Sequence, residues 1–298
     1  ARRWTHDREF QIGMQLLRGM ISGEQAGAAL SDVAEASLRE LLPRVEAEFQ
    51  RAHGKMPGGE FVIVGLGKLG GREITFSSDL DVIFIYRGGS ADQNQSEGPR
   101  RLPLSQYYGR LSQRLVTAVS ALTPEGKLYE IDARLRPSGN SSPLASEVEG
   151  FANYHNKSAW TWEHMALTRA RVISGSPALG KHVMEIIRTV VEKPREDPGL
   201  VIEVASMRER INKKRRTKNI WKLKHVRGGL LDIEFIAQYL QLRNASRHSE
   251  ILSQETYLVF ERLARCGIME EEDAATLTNA TRLMRRLQAL LRLTVGVS

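Results

Sequence analysis

Two apolar runs joined by a short polar connector occupy residues 61–86, FVIVGLGKLGGREITFSSDLDVIFIY. Runs of this kind, punctuated by glycine and serine, predict two buried strands with too little chain between them for a crossover helix. Gly65, Gly67 and Gly70 spell the G-x-G-x-x-G of a dinucleotide site, but the context is wrong. The third glycine of that fingerprint opens a helix of several turns, and an acid follows about twenty residues on. Here Gly70 and Gly71 are adjacent, which costs about 2 kcal/mol against alanine in a helix interior. The carboxylates Asp79 and Asp81 stand at the start of the next strand instead. Lys68 is followed by Leu69 rather than Ser or Thr, which excludes a P-loop as well. The pattern is a decoy.

The acids themselves need a cause. Residues two apart on a strand share a face, so Asp79 and Asp81 project together from a run whose Val82, Ile83, Phe84 and Ile85 announce burial. Neighbouring carboxylates repel and are costly to desolvate, and oxygen ligands of this kind suit Mg2+. A third acid, Asp132 in LYEIDARLRP, lies on a further predicted strand, with Glu130 on its face. Three strand-borne carboxylates can bridge two Mg2+ ions, Mn2+ being a substitute, one ion polarising an attacking oxygen and the other a leaving phosphate. On this reading the Gly70–Gly71 turn brings bare N–H groups to phosphate oxygens, with Ser77 and Ser78 as further donors. Lys68, Arg134 and Arg136 would add charge for polyphosphate. Each cation has a bland alternative: solvation for Lys68, structural ion pairs for the two arginines. A lone D-x-D is most often an edge pair facing water; the order Gly-Gly, D-x-D, third acid is what favours a site.

Around this unit the chain reads as helices. Val33, Leu38, Leu41, Leu42 and Val45 fall at helical spacing, with Ser31 as a candidate cap and Gly54 as a stop. RGGSADQNQSEGPRR is a polar loop, and LSQYYGRLSQRLVTAVSAL is an amphipathic helix with Tyr108, Leu111, Leu115, Val119 and Leu122 along one side. GKLYEIDARLRP makes the third strand, after which the strand signal disappears. Ser146 and Glu149 form a capping-box pattern heading a long helical segment towards Arg171. Gly228 and Gly229 precede another helix, in which Leu230, Ile233, Ile236, Ala237 and Leu240 share a face. The plan is a helical segment over 1–57, an α/β unit over 58–145 and a helical bundle over 146–298.

A chain of 298 residues can build two or three cored domains. No apolar run approaches a membrane span, and the single cysteine, Cys266, fits a reducing cytoplasm. The histidines lack metal-ligand spacing. An initial Ala and the apolar, helix-like end LQALLRLTVGVS are expected of a piece of something longer. Between Val201 and Arg227 ten Lys or Arg stand against two Glu, which accounts for the whole net charge of +8. That segment is either a solvated face or a docking surface for an acidic protein, nucleotide phosphates or nucleic acid. With one tryptophan in NKKRRTKNIWKLKHVR, it lacks the interleaved aromatics of a single-strand binder, so no nucleic-acid partner is expected. Trp160 and Trp162 cannot share a helix face; at least one is expected in the core, adenine stacking being the alternative. His164 is expected to be a satisfied core residue. Asp232 and Glu234 are expected to cap their helix or to reach the active-site cleft.

Gly70–Gly71, Asp79-x-Asp81 and Asp132 resemble the pattern of the nucleotidyltransferase superfamily that includes DNA polymerase β. More closely, GLGKLGGREITFSSDLDVIF, YEIDARLRPSG, SAWTWEHMALTRARVISG and HVRGGLLDIEFIAQYLQL, in that order over residues 65–242, are similar to the glutamine synthetase adenylyltransferase family. Members of that family carry two such units, one attaching AMP and one removing it by phosphorolysis. The second and third blocks resemble the attaching unit, whereas Phe76 and Ser77 lean towards the removing one. The resemblance implies a polymerase β-like mixed sheet with helices, set in a mainly helical protein whose C-terminal bundle continues past Ser298. It implies ATP as substrate and Mg2+ as cofactor. The implied partners are glutamine synthetase, the PII signalling protein and the other half of the enzyme. A tyrosine hydroxyl of glutamine synthetase would attack the α-phosphorus of ATP, and pyrophosphate would leave. Asp79 and Asp81 would ligate metal with Asp132 completing the site, and Asp132 is best placed to accept the hydroxyl proton. Phosphorolytic removal of AMP is the alternative chemistry, and a regulatory module binding PII the alternative class.

Overall fold

A computed structural model of the chain describes residues 1–89, 94–195 and 198–296. Part of the loop expected in RGGSADQNQSEGPRR, residues 90–93, lies outside the described residues, as do 196–197 and 297–298. The molecule is mostly helical with one small mixed sheet.

Two helices open the chain, α1 (Arg2–Leu17) and α2 (Gly23–His53). Ser22, not Ser31, caps α2: its hydroxyl accepts from the Gln25 N–H while the Gln25 side chain returns to the Ser22 N–H. Ser31 sits inside the helix and donates to the Gly27 carbonyl at 2.8 Å. Gly54 ends α2 with φ of +71°, as the sequence predicts.

β1 (Glu60–Gly65) is followed by the one-turn helix α3 (Gly67–Gly70) and then by β2 (Leu80–Arg87). β1 and β2 run antiparallel, Gly65 opposite Val82 and Glu60 opposite Arg87. A dinucleotide fold requires a parallel pair joined by a long helix, so the glycine pattern is a decoy in the structure too. Helix α4 (Leu104–Ser120) buries Tyr108, Leu111, Leu115 and Val119, but Leu122 lies past its end and is exposed. The third strand contracts to β3 (Ile131–Asp132), parallel to β2.

From residue 145 onwards the sequence reading needs revision. β4 (Ala145–Glu147) pairs with β2, so Ser146 is in a strand and does not cap a helix. The long helix expected next is two short ones, α5 (Val148–Lys157) and α6 (Thr161–Leu167). They are followed by an unpredicted strand, β5 (Arg171–Gly175), which is antiparallel to β1. The sheet order is β3-β2-β1-β5, with β4 also on β2, and it draws on chain beyond the boundary drawn at 145. β5 was hidden because Arg171-Val-Ile-Ser-Gly is short and offers little alternation. Trp160 and Trp162 are both exposed, at 70% and 39%, so neither is the core residue that the sequence suggests.

Strand alternation divides the core. Leu80, Val82, Phe84 and Tyr86 pack on the side of α2 and α4. Ile83 and Ile85 join Val62 and Val64 against Phe151 of α5 and the helix α7 (Pro177–Val191). Each such buried side chain is worth about 1.5–3 kcal/mol, which fixes the register of β2 and so the aim of its acids. The row Ile85–Ile83 leads to Asp81 and then to Asp79, at the end of the strand where the apolar layer stops. The remaining helices are α8 (Gly199–Arg215), α9 (Leu230–Asn244), α10 (Thr256–Arg265) and α11 (Glu271–Thr294). The last three share a core built on Ile233, Phe260 and Leu263, and α11 returns to pack on α2. No described helix is long and apolar enough to cross a membrane.

Candidate active site

The parallel pairing of β2 and β3 makes Asp81 and Asp132 register partners. Asp79, one residue ahead of β2, is exposed. Among the described residues neither the Asp79 nor the Asp81 carboxylate has a hydrogen-bond or ion-pair partner, although the Asp81 backbone carbonyl accepts from the Leu66 N–H at 2.9 Å. Burial pushes the Asp81 carboxyl up to about 6, the charges of Asp132 and Asp79 adding to the effect and those of Lys224 and Arg169 opposing it. Gly67 lies against this carboxylate with φ of +51°, and a Cβ there would collide with Asp81 Oδ2. Only glycine tolerates both the backbone conformation and the approach.

Asp132 is held differently. The Arg134 backbone N–H and Nε both donate to its Oδ1 at 2.9 Å, and Nη2 donates to Oδ2. The side-chain bond to Arg134 keeps this carboxyl below its usual range. Arg134 itself remains 73% exposed and also feels Asp81 and Asp79. The oxygens of the three acids do not all come within 4.8 Å of one another; among the described residues only His248, Glu250 and Cys266 form a set that compact. Even so, an unpaired, half-buried carboxylate beside two others, with a glycine cradle against it, is a donor set that suits a hard divalent cation.

The expected phosphate contacts are rearranged. The Gly70 and Gly71 N–H groups are committed to the Leu66 and Gly67 carbonyls, at 2.8 and 3.1 Å. A Cβ on Gly70 would strike the Arg169 carbonyl, and one on Gly71 the Arg169 guanidinium. These glycines make room for an arginine; they do not offer bare donors to a phosphate. Ser77 is exposed at φ of +57°. Ser78 is buried, its Oγ accepting from the Thr75 N–H and from Arg292 Nη1, each at 3.2 Å. Lys68 Nζ donates to Thr75 Oγ1 at 3.3 Å and to Gln288 Oε1 at 3.1 Å. Burial, then the nearby Arg292 and Arg285, pull its ammonium down to about 7. Arg136 ties its own loop together through the Ala133, Ser142 and Pro143 carbonyls.

Sequence reasoning missed two features. One is a buried ionic network: Glu73 binds Arg169 and Arg285, Glu234 meets both at 3.4 and 3.1 Å, and the Thr256 N–H donates to Glu73 at 3.0 Å. It explains Glu234, whose carboxyl Arg169 and Arg285 hold down although burial alone would raise it. Asp232, by contrast, stays local, pairing with Arg208 and accepting from the Gly228 N–H. The other is an apolar cavity of about 680 Å3 lined by Gly67, Leu135, Trp162, Met165, Met207 and Phe235 among others. Its walls come from separate helices and turns, so no local pattern announces it; Trp162 was the one hint. His164 is a satisfied, partly buried residue, its Nε2 2.9 Å from the His155 carbonyl.

Residues 1–186 match the family described as glutamate-ammonia ligase adenylyltransferase. Residues 203–297 match GlnD PII-uridylyltransferase. The chain is 44% identical over 295 residues to a bifunctional glutamine synthetase adenylyltransferase/adenylyl-removing enzyme of Xanthobacter autotrophicus, covering 99% of this chain and 30% of that protein. Proteins with the same description from Bradyrhizobium sp. strain BTAi1 and Rhodopseudomonas palustris strain BisB5 are 45% and 43% identical over 96% of the chain, which covers 29% of each. The chain thus spans about 30% of the length of these relatives.

Proposed function

The chain belongs to the glutamate-ammonia ligase adenylyltransferase family, and from that premise we propose that its sheet edge is a nucleotidyl-transfer site, moving AMP between ATP and a tyrosine of glutamine synthetase on a polymerase β-like core. The observation that supports this most is the pair of Asp79 and Asp81 carboxylates, left without partners among the described residues beside Asp132. In the attaching direction the tyrosine oxygen bonds to the α-phosphorus, the bond to pyrophosphate breaks, and the hydroxyl proton moves to a carboxylate. Asp79, Asp81 and Asp132 would hold two Mg2+ ions, or Mn2+, which supply positive charge to the attacking and leaving oxygens. The residues of the chain do the rest. Arg134, exposed and shared electrostatically among the three acids, turns to phosphate when nucleotide enters and leaves Asp132 free to take the proton. Ser77 and Lys68 border the phosphates, while Ser78 and Arg136 hold the turn and loop in shape. The apolar cavity beside Gly67 takes the adenine, where a dry wall adds hydrophobic and stacking energy.

The attaching direction is favoured by the blocks around Asp132 and Trp162. The match of residues 203–297 to a PII-uridylyltransferase supports a second role, in which the helical part responds to the PII signalling protein. Because the chain spans about 30% of its relatives, we take it to act as one unit of a longer protein whose other unit is its partner. The test is transfer of label from α-labelled ATP to unmodified glutamine synthetase in Mg2+. Wild-type protein labels the partner, and Asp79→Asn loses about a thousandfold or more. Retained transfer in both Asp79→Asn and Asp81→Asn would falsify the site; release of ADP from modified partner and phosphate, without labelling, assigns the removing reaction instead.

A further inference from the structure

The cations of residues 201–227 are nearly all exposed, but four of the ten converge on one cavity. Arg215, Arg216, Lys222 and Lys224 line a cavity of about 580 Å3 whose other wall is Gln288 and Arg292 of α11. Every charged side chain in that lining is cationic. Like charges about 4 Å apart cost about 1 kcal/mol even in water, and more beside protein.

The neighbouring groups share the deficit of negative charge. Lys68 donates only to the neutral Thr75 and Gln288 oxygens. Arg292 gives Nη1 to the Phe76 carbonyl and to Ser78 Oγ, but its Nε is buried without a partner, as is Nδ1 of His225 in the lining contributed by the basic segment. Arg169 and Arg285, buried more deeply than Arg292, each meet both Glu73 and Glu234, although Arg169 Nε and Arg285 Nε and Nη1 are unpartnered as well. Cations that have found carboxylates thus adjoin cations that have not.

The cavity also borders the carboxylate edge. Arg292 is bonded to Ser78, next to Asp79, and feels the Asp79 charge. Lys224 is near enough to pull on Asp81. Gly67 lines the apolar cavity, and Lys68, the next residue, bonds to Gln288 of the cationic one. The two cavities therefore flank one turn.

We propose that this cavity is a polyphosphate site, in which Arg215, Lys222 and Lys224 of the basic segment and Arg292 of α11 bind the β- and γ-phosphates of ATP or the pyrophosphate released from it. Naming ATP rests on the nucleotidyl-transfer reading; the ligand class follows from the cavity itself. Its size exceeds what a single phosphate fills, and its bounded shape suits a short polyanion rather than a long nucleic-acid strand.

Calorimetric titration with inorganic tripolyphosphate in EDTA tests the site without metal. Wild-type protein is expected to bind saturably at one site, and Lys224→Gln and Lys222→Gln, both exposed and free of structural bonds, each to weaken binding roughly tenfold. Asp79→Asn keeps this binding while losing transfer, which separates the two claims. If the lysine variants bind as wild type while Asp79→Asn still abolishes transfer, the polyphosphate assignment falls and the catalytic reading stands. Inorganic phosphate binding as tightly as tripolyphosphate, or a single-stranded oligonucleotide displacing it at lower concentration, also overturns the assignment.

Discussion

Two groups of charges lie around the Gly67–Gly71 turn, and the molecule treats them in opposite ways. On one side Glu73, Glu234, Arg169 and Arg285 are buried and cross-bonded, with 4–6% of the side chain exposed for all but Glu234. On the other, the Asp79 and Asp81 carboxylates have no partner among the described residues and that of Asp132 has only an exposed arginine. Burying a charge is tolerated when it is paired and hydrogen-bonded. The first group meets the pairing half of that condition, each carboxylate facing both guanidinium groups although Arg169 Nε and Arg285 Nε and Nη1 have no hydrogen-bond partner, and it joins the sheet unit to α9, α10 and α11. The second does not, and an uncompensated carboxylate kept at the end of a rigid strand is what a ligand-binding site requires. Satisfied charge here reads as architecture, unsatisfied charge as chemistry.

The contrast is broken most sharply by crossing the two regions. Asp79→Asn should lose adenylyl transfer about a thousandfold with stability within about 0.5 kcal/mol of wild type, as for other exposed positions. Glu73→Gln should show the reverse emphasis. It takes from two buried guanidinium groups one of the two carboxylates that face them and should cost about 3–5 kcal/mol in urea denaturation. A Glu73→Gln protein within 1 kcal/mol of wild type would mean that the network is ornamental, and the division between the regions would fail.

Gly70→Ala sharpens the same boundary with a smaller effect. Its Cβ would meet the Arg169 carbonyl, a backbone atom that cannot rotate away. A loss of about 1–3 kcal/mol is expected from overpacking. If the variant instead keeps its stability and loses ATP affinity, this glycine serves phosphate after all.

How far the sequence disclosed this arrangement depends on the range over which each feature is written. Alternation in DVIFIY and the D-x-D spacing are local, so β2, the aim of its acids and the failure of the G-x-G-x-x-G pattern were legible. The placement of Asp132 on a strand was legible because it follows a recognisable apolar run, although only Ile131 and Asp132 pair as strand. β5 and the Glu73–Arg169–Arg285–Glu234 network depend on segments distant in the chain, and no residue in them is unusual among its neighbours; the cavities were only hinted at, by Trp162 and by the basic run, because their other walls come from elsewhere. Lys68 was noticed as a cation near a strand, but its burial against α11 is a tertiary fact. Gly70 and Gly71 show a subtler limit: the sequence marked them as special, yet close packing and phosphate approach select the same residue type.

The smallest expected effect bears on the unsatisfied side alone. Asp81 has its carboxyl raised from 3.8 to about 6 by burial and by the other two acids. An acid with a raised folded-state value binds its proton more tightly folded than unfolded, so folding is favoured below about pH 4 and loses stability as pH climbs to about 6. The full shift corresponds to roughly 3 kcal/mol; the open side of the site leaves about 1–2 kcal/mol after solvent screening. Asp81→Asn removes that penalty. In EDTA the variant should be more stable than wild type at pH 8 by this amount, and the advantage should shrink to nothing by about pH 4. Adding Mg2+ should narrow the gap at pH 8 by stabilising only the wild type, since a ligand of the folded state raises its stability by mass action. A variant less stable than wild type at pH 8 in EDTA would show that Asp81 is already compensated within the fold, and the line between the two groups of charges would have to be redrawn with Asp81 on the architectural side.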